Sequence, residues 1–399
     1  MDQRTQMKNA LIYHILIDRF AGFKKRRRQK TDETWIGGTL RGIERKLPYL
    51  KKLGVTALRL SSPFKSTAYH GYSITDLGRI DPHFGSTQDL KRLIRTAHTR
   101  GMSVFLDYIA THCSNQHPFF QDALHSPKSP YRTWFSFTDW PKRYAKFLNY
   151  YNDLPKWNLT NPATRDYIIK SAVYWLRATQ CDGFFLDHAI GAPDAFWKKL
   201  TFRIRKAKQN AVLIGEAWFA QDTNPRILPA ITMTRAKELF RNRRHIHGGI
   251  QDAALREYVR IFDGCIDFTA NRLFYEYFVK RAISKKTFGR RLAEHYQRFP
   301  DDFLLPLFLD SHDSNRFLFQ VNNRVETLKA AASIQYCIPQ PKLVYYGTEV
   351  GMTQKRLWGG DQGFVNARRK MIWNPEKQNQ KLLRWYRELG TGAKTDNAS

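Results

Sequence analysis

Asp182-Gly183-Phe184-Phe185-Leu186-Asp187 and, further on, Val212-Leu213-Ile214-Gly215-Glu216-Ala217-Trp218 share one design. Each is a short run of leucine, phenylalanine and β-branched side chains without polar alternation, and each ends on a carboxylate. A run with no alternation suits a strand covered on both faces, as in a parallel sheet clothed by helices. Comparable runs occur at 11–17, 55–60, 104–109, 265–269, 305–310 and 342–346, which with 183–187 and 212–216 makes eight. Between them lie amphipathic stretches such as 40–53, 87–100, 165–179 and 192–208, and a last helix is expected over 380–389. Eight buried strands alternating with helices predict an α/β fold in which a parallel sheet closes into a (β/α)₈ barrel.

The rhythm breaks once. Residues 113–162 are rich in Pro, Trp, Tyr and Asn and are expected to form an inserted loop or small subdomain after the third strand, the barrel itself being 1–112 and 163–399. The chain ends soon after the last helix, so no C-terminal β-domain is expected.

Composition narrows the class. Of 399 residues 42% are hydrophobic and 14% aromatic, enough for a large core and against disorder. The start of the chain does not read as a signal peptide, and no apolar run approaches the roughly 20 residues of a membrane span. Cys113, Cys181, Cys265 and Cys337 show no CxxC spacing, which suits a reduced, cytoplasmic chain. The formal net charge is +31. Its densest runs, 24–28 and 241–244, read as solvated surface. Nucleic acid is expected only through non-specific charge, because no aromatic–basic recognition block accompanies the runs.

In such barrels chemistry sits at the C-terminal ends of strands. The third run carries Asp107 and gives way to His112, the fourth ends on Asp187, the fifth on Glu216, and the seventh gives Asp310-Ser311-His312-Asp313. A carboxylate in an apolar run is costly to bury unless paired or functional. One alone could be a helix cap or an ion-pair partner. Several at neighbouring strand ends, with histidines beside them, favour a catalytic cluster.

The blocks around these residues resemble the α-amylase superfamily, glycoside hydrolase family 13. Gly37 to Ile43 and Leu53 to Ala57 are similar to that family's first helix and second strand. His70-Gly71-Tyr72 and Asp81 to Gly85 match its second loop, and Asp107 to His112 its DxxxNH block with Thr111 in place of Asn. Asp182 to Asp187 resembles DGFRxD, Gly215 to Trp218 GExW, Asp310 to Arg316 DNHDxxR, and Tyr345 to Met352 the eighth strand. Leu154-Pro155-Lys156-Trp157-Asn158 resembles the MPKLN block of cyclomaltodextrinases, neopullulanases and oligo-1,6-glucosidases, though a packed turn would explain it equally well.

The resemblance implies a retaining α-glycoside hydrolase acting on α-1,4-glucans or short maltodextrins. It implies Asp187 as nucleophile, Glu216 as general acid and base, and Asp313 as the carboxylate holding the sugar hydroxyls. His70, Tyr72, His112, Trp218, His312 and Arg316 are implied to bind substrate. Two positions depart from the family. Phe185 stands where an Arg normally orients the nucleophile, so the Asp187 carboxyl is expected to titrate high unless another cation substitutes. Phe185 also motivates an alternative, a glucan-binding protein with weakened catalysis; a 4-α-glucanotransferase is a further alternative, since motifs do not encode the loop shapes that decide between hydrolysis and transfer. Thr111 and the basic run at 24–28 stand where calcium ligands would, so no structural calcium and no other cofactor is expected.

Overall fold

The computed structural model describes residues 3–23, 34–148, 151–218, 249–355 and 365–392. The basic runs 24–28 and 241–244 lie outside them. Eight parallel strands form one sheet: β1 (Leu11–Ile15), β2 (Ala57–Leu60), β3 (Ser103–Tyr108), β4 (Gly183–Leu186), β5 (Val212–Gly215), β6 (Gly264–Cys265), β7 (Leu307–Phe308) and β8 (Lys342–Tyr345). Their order is β6-β5-β4-β3-β2-β1-β8-β7. The remaining seam closes through a parallel bridge from Gly264 to Leu304, where Cys265 N donates to Leu304 O at 2.9 Å and Leu304 N to Asp263 O at 2.9 Å. The sheet is thus a barrel.

β6 and β7 are shorter than the apolar runs that announced them. Pro306 has no N–H to give the ladder, and Asp267 already caps the helix Phe268–Phe274 by accepting from Ala270 N at 2.8 Å. The expected helices are present as Leu40–Lys52, Thr87–His98, Pro162–Thr179, Asp194–Ala207 and Gln380–Thr391. Local chemistry sets their ends. Ser86 and Asp89 form a reciprocal capping box, and Asn161 followed by Pro162 opens the helix that Gln180, at φ 60°, closes. No helix among the described residues is long and apolar enough to cross a membrane.

Strand parity divides the core in two. Leu58, Leu60, Val104, Leu106, Phe184, Leu186 and Leu213 face the helices. Ile12, Ala57, Phe105, Phe185, Val212, Ile214, Phe308 and Leu343 fill the inside of the barrel. Both sets are buried, which is why the runs showed no alternation. Close packing dictates two glycines. A Cβ on Gly183 would lie 1.8 Å from Val212 O, and one on Gly264 2.1 Å from Leu304 O.

After β3 the chain leaves the barrel through the helix Pro118–His125, a 3₁₀ turn at Arg132–Trp134 and two short antiparallel hairpins, Phe137–Asp139 with Arg143–Tyr144 and Lys146–Phe147 with Tyr151–Pro155. The last hairpin returns to the barrel mouth.

Candidate active site

Side chains two residues apart on a strand share a face. Two residues beyond the inner apolar side chains Ile12, Ala57, Phe105, Phe185, Ile214 and Phe308 come His14, Arg59, Asp107, Asp187, Glu216 and Asp310. The apolar plug of the barrel is therefore roofed by a layer of ionisable groups. That layer is the floor of the mouth.

Burial dominates the electrostatics of its two central acids. It pushes Asp187 well above the usual carboxylate range, and the charges of Glu216, Asp313 and Asp107 push the same way, with Arg59 opposing. Glu216, 8% exposed, is also raised, first by burial and then by Asp313. Two acids so placed titrate as a pair, and a carboxyl raised by burial is suited to act as a general acid. Asp187 Oδ2 has no hydrogen-bond partner among the described residues, and the nearest base, His112 Nδ1, is 4.0 Å away. That oxygen is shut from solvent, and a buried acceptor without a donor makes the carboxyl harder to ionise. Glu216 accepts weakly from His188 N at 3.4 Å.

Asp313 differs. It stands at the rim, where desolvation works to raise it but His312 and Arg368 outweigh that and hold it well below the usual range. His312 Nε2 lies 3.0 Å from Oδ2, and Arg368 Nη2 donates to Oδ1 at 2.5 Å. The site thus combines two acids of raised pKa with one fixed anion. The raised pair is able to share one proton between them, and the fixed anion suits a developing positive charge.

Beneath Asp187 the structure answers the departure at position 185. The Phe185 ring lies inside the barrel, and the Arg59 guanidinium sits over it, 4.6 Å from the centroid. Arg59 forks onto Asp107 through Nε at 2.7 Å and Nη2 at 2.9 Å. Asp107 also accepts from the Tyr72 hydroxyl at 2.5 Å. A cation is present after all, delivered from β2.

The expected sugar contacts fall into two groups. Tyr72, His70, His112 and His312 gather at the mouth. Tyr72 and His312 stack, Tyr72 N donates to His70 Nδ1 at 3.1 Å, and His112 is buried and pushed down to about 3 by that burial, hence neutral. Trp218 is half-buried beside His188, their ring centroids 6.3 Å apart. Arg316 departs from the expectation. It is 1% exposed, donates from Nε to Ala367 O at 3.0 Å and from Nη1 to Tyr346 O at 2.6 Å, and covers the Tyr345 ring. Its guanidinium braces the chain after β8 through the Tyr346 and Ala367 carbonyls.

The inserted segment supplies a roof. Phe147 packs between His112 and His188, with centroids 4.6 Å from each. Trp157 of the Leu154 to Asn158 block donates from Nε1 to His112 O at 3.1 Å and is buried among Phe135, His117 and Trp134. The block therefore anchors the His112 loop. Arg59, Phe147, His188 and Arg368 were not singled out by sequence. Arg59 had a signal, a charge inside Leu58-Arg59-Leu60, whereas Arg368 comes from a loop with none.

The oxygens at the two positions considered for calcium make bonds within the protein. Thr111 Oγ1 is engaged with His112 Nδ1 at 3.0 Å, and its carbonyl accepts from Trp157 N at 3.1 Å. Asp18, the acid after β1, accepts from Ile36 N and Gly37 N and pairs with Arg19 at 3.1 Å. Among the described residues no group of three or more His, Cys, Asp or Glu side chains could hold a metal ion.

Comparison with known proteins bears on the family and the fold. Residues 14–398 match the alpha-amylase catalytic domain. The chain is 32% identical over 385 residues to an alpha-amylase 2 of Dictyoglomus thermophilum, covering 96% of this chain and 62% of that protein. It is 30% identical over 399 residues to a cyclomaltodextrinase of Thermoanaerobacter pseudethanolicus, covering 96% and 63%. The chain thus spans about three fifths of the length of these curated relatives. Among solved structures, an α-amylase from Geobacillus thermoleovorans complexed with acarbose superposes with a TM-score of 0.77 at 26% identity, covering 96% of this chain and 78% of that one.

Proposed function

This chain belongs to the α-amylase family, and on that footing we propose that it is a retaining α-glycoside hydrolase acting on α-1,4-linked glucans or short maltodextrins. The observation that carries the reading is the set of carboxylates at the mouth: Asp187 with an unpartnered oxygen, Glu216 buried and raised, Asp313 held ionised. Asp187 attacks the anomeric carbon as the glycosidic C–O bond breaks, and Glu216 gives its proton to the departing oxygen. Water then attacks the same carbon, passes its proton to Glu216 and releases Asp187, so configuration is retained. Asp313, fixed by His312 and Arg368, steadies the sugar as positive charge develops.

The alternative of a weakened glucan binder rested on Phe185. Arg59 above that ring removes the motive. Catalysis in this scheme uses no calcium, in keeping with the engagement of Thr111 and Asp18. Cys113, Cys181, Cys265 and Cys337 are all free thiols, which supports a reducing, cytoplasmic setting. The deciding experiment is a chromatographic product profile on maltoheptaose, cyclodextrin and pullulan, with the anomeric form of the first product read by NMR. Retained α-configuration supports the scheme. Inverted products, or no cleavage of any of the three, would sink it.

A further inference from the structure

We infer that Arg59 is the positioning residue for the nucleophilic carboxylate of this chain, supplying from β2 the fixed cation that position 185 lacks. The inference rests on Asp187 being the nucleophile. Three adjacent strands build the arrangement: β2 gives Arg59, β3 gives Asp107, and β4 gives Phe185 and then Asp187. The side chain from β2 reaches across Asp107 to lie over the β4 ring.

Several features make this more than an ion pair. Arg59 is 3% exposed, so its charge acts in a medium of low dielectric and is barely screened. The bidentate fork on Asp107 fixes the guanidinium plane, which a single contact would not. The aromatic face beneath favours a cation there. Both Asp107 oxygens accept from Arg59 and Oδ2 accepts from the Tyr72 hydroxyl as well, so one carboxylate ties the guanidinium to the Tyr72 ring at the mouth. An arginine at 185 would compete for the space and the partner that Arg59 already holds. The two positions are therefore alternatives, each excluding the other.

The charged and titratable groups facing Asp187 are Glu216, Asp313 and Asp107, which raise it, Arg59, which lowers it, and the neutral ring of His112. Of the groups that act most strongly on Asp187, Arg59 is the one that favours its charge, set against the carboxyls of Glu216, Asp313 and Asp107. Removing it leaves the carboxylate harder to ionise and Asp107 without its fork.

The test compares wild type with Arg59→Leu, Arg59→Lys, Phe185→Arg and the exchange Arg59→Leu/Phe185→Arg. Arg59→Leu is expected to lower kcat on a maltooligosaccharide about a hundredfold, well beyond its effect on KM. The acid limb of kcat/KM should move up by about one pH unit. Arg59→Lys keeps the charge but loses the fork, and should cost about tenfold in kcat with the limb nearly in place. Phe185→Arg should impair the wild-type background and rescue the Arg59→Leu background, a reversal of sign that a purely structural ion pair would not give. A cooperatively folded Arg59→Leu or Arg59→Lys with wild-type kcat and an unmoved limb overturns the inference, as does Phe185→Arg acting alike in both backgrounds. If Arg59→Leu does not fold, Arg59→Lys and the exchange protein decide by the same criteria. A wild type that cleaves no α-glucan defeats the functional reading instead. Titration of ¹³C-carboxyl-labelled Asp187, which needs no turnover, still decides the role of Arg59: an unchanged Asp187 pKa in its variants overturns it.

Discussion

Tyr72 and His312 lie face to face, ring centroids 4.9 Å apart and planes within 10°, although one comes from the loop after β2 and the other from the end of β7. The stack joins two groups already tied to the catalytic layer, Tyr72 through its hydroxyl to Asp107 and His312 through Nε2 to Asp313. One wall of the mouth is therefore braced from both sides.

That brace can be taken apart. Tyr72→Phe keeps the ring and loses only the bond to Asp107. A bond to a charged acceptor contributes about 1.5–3 kcal/mol, so unfolding free energy in urea should drop by that order. KM on maltoheptaose should stay within about twofold, since the aromatic surface remains. Tyr72→Ala removes the stack too and should raise KM about tenfold. Equal KM values in the two variants would show that the ring does not contact substrate.

Chelation should change nothing. The oxygens that would be ligands at Thr111 and Asp18 are already engaged by His112, Ile36, Gly37 and Arg19. Dialysis against EDTA should leave the melting temperature and the maltodextrin rate unchanged. A fall in Tm that Ca²⁺ reverses would reveal a bound ion, because a ligand specific for the native state stabilises it by mass action.

The barrel was legible because burial on both faces of a parallel strand writes itself as an unbroken apolar run, seen at Gly183–Leu186 and Val212–Gly215. The same background made Asp187 and Glu216 conspicuous. Arg59 breaks the run Leu58-Arg59-Leu60 just as visibly, yet only coordinates reveal that its guanidinium crosses β3 to reach Phe185 on β4. Arg368 could not be foreseen, since it meets Asp313 from a loop 55 residues further along the chain. Arg316 shows the opposite limit: it matches a motif, but its rotamer turns it onto backbone carbonyls.

Stability should fall at high pH through His295. Buried between Asp252 at 3.0 Å and Asp267 at 3.0 Å, its ring is desolvated, which disfavours charge, but the two carboxylates prevail and raise it from 6.5 to about 10. A base with a raised folded pKa gives stability that is complete below the unfolded value and lost as pH climbs to the folded one. The wild-type Tm should therefore decline from about pH 6.5 to 10. His295→Gln should be destabilised at pH 6 by about 3–5 kcal/mol, the cost of breaking a buried pair, and show a flatter profile. Parallel Tm–pH curves for the two proteins would refute this account.

Asp187→Asn and Glu216→Gln should each abolish nearly all maltodextrin cleavage, and the first should also stabilise the fold. The folded pKa of Asp187 is raised above its unfolded value, so the native state binds the proton more tightly. For such an acid, stability is greatest below the unfolded pKa and declines as pH rises toward the folded one. At neutral pH the wild type bears the cost of holding an ionised or strongly coupled carboxyl among Glu216, Asp313 and Asp107, whereas an amide bears none. The amide is also neutral and of nearly the same shape as the carboxyl it replaces, so little packing is lost. The mutant should therefore melt higher than wild type at pH 7, and the difference should shrink as pH falls to about 4, the unfolded value of an aspartate, where both proteins are neutral at this position. Differential scanning calorimetry at pH 4 to 8 measures this directly. A mutant less stable than wild type at pH 7, or a difference independent of pH, would mean that Arg59 already compensates the charge in full and that Asp187 ionises at little cost to the fold.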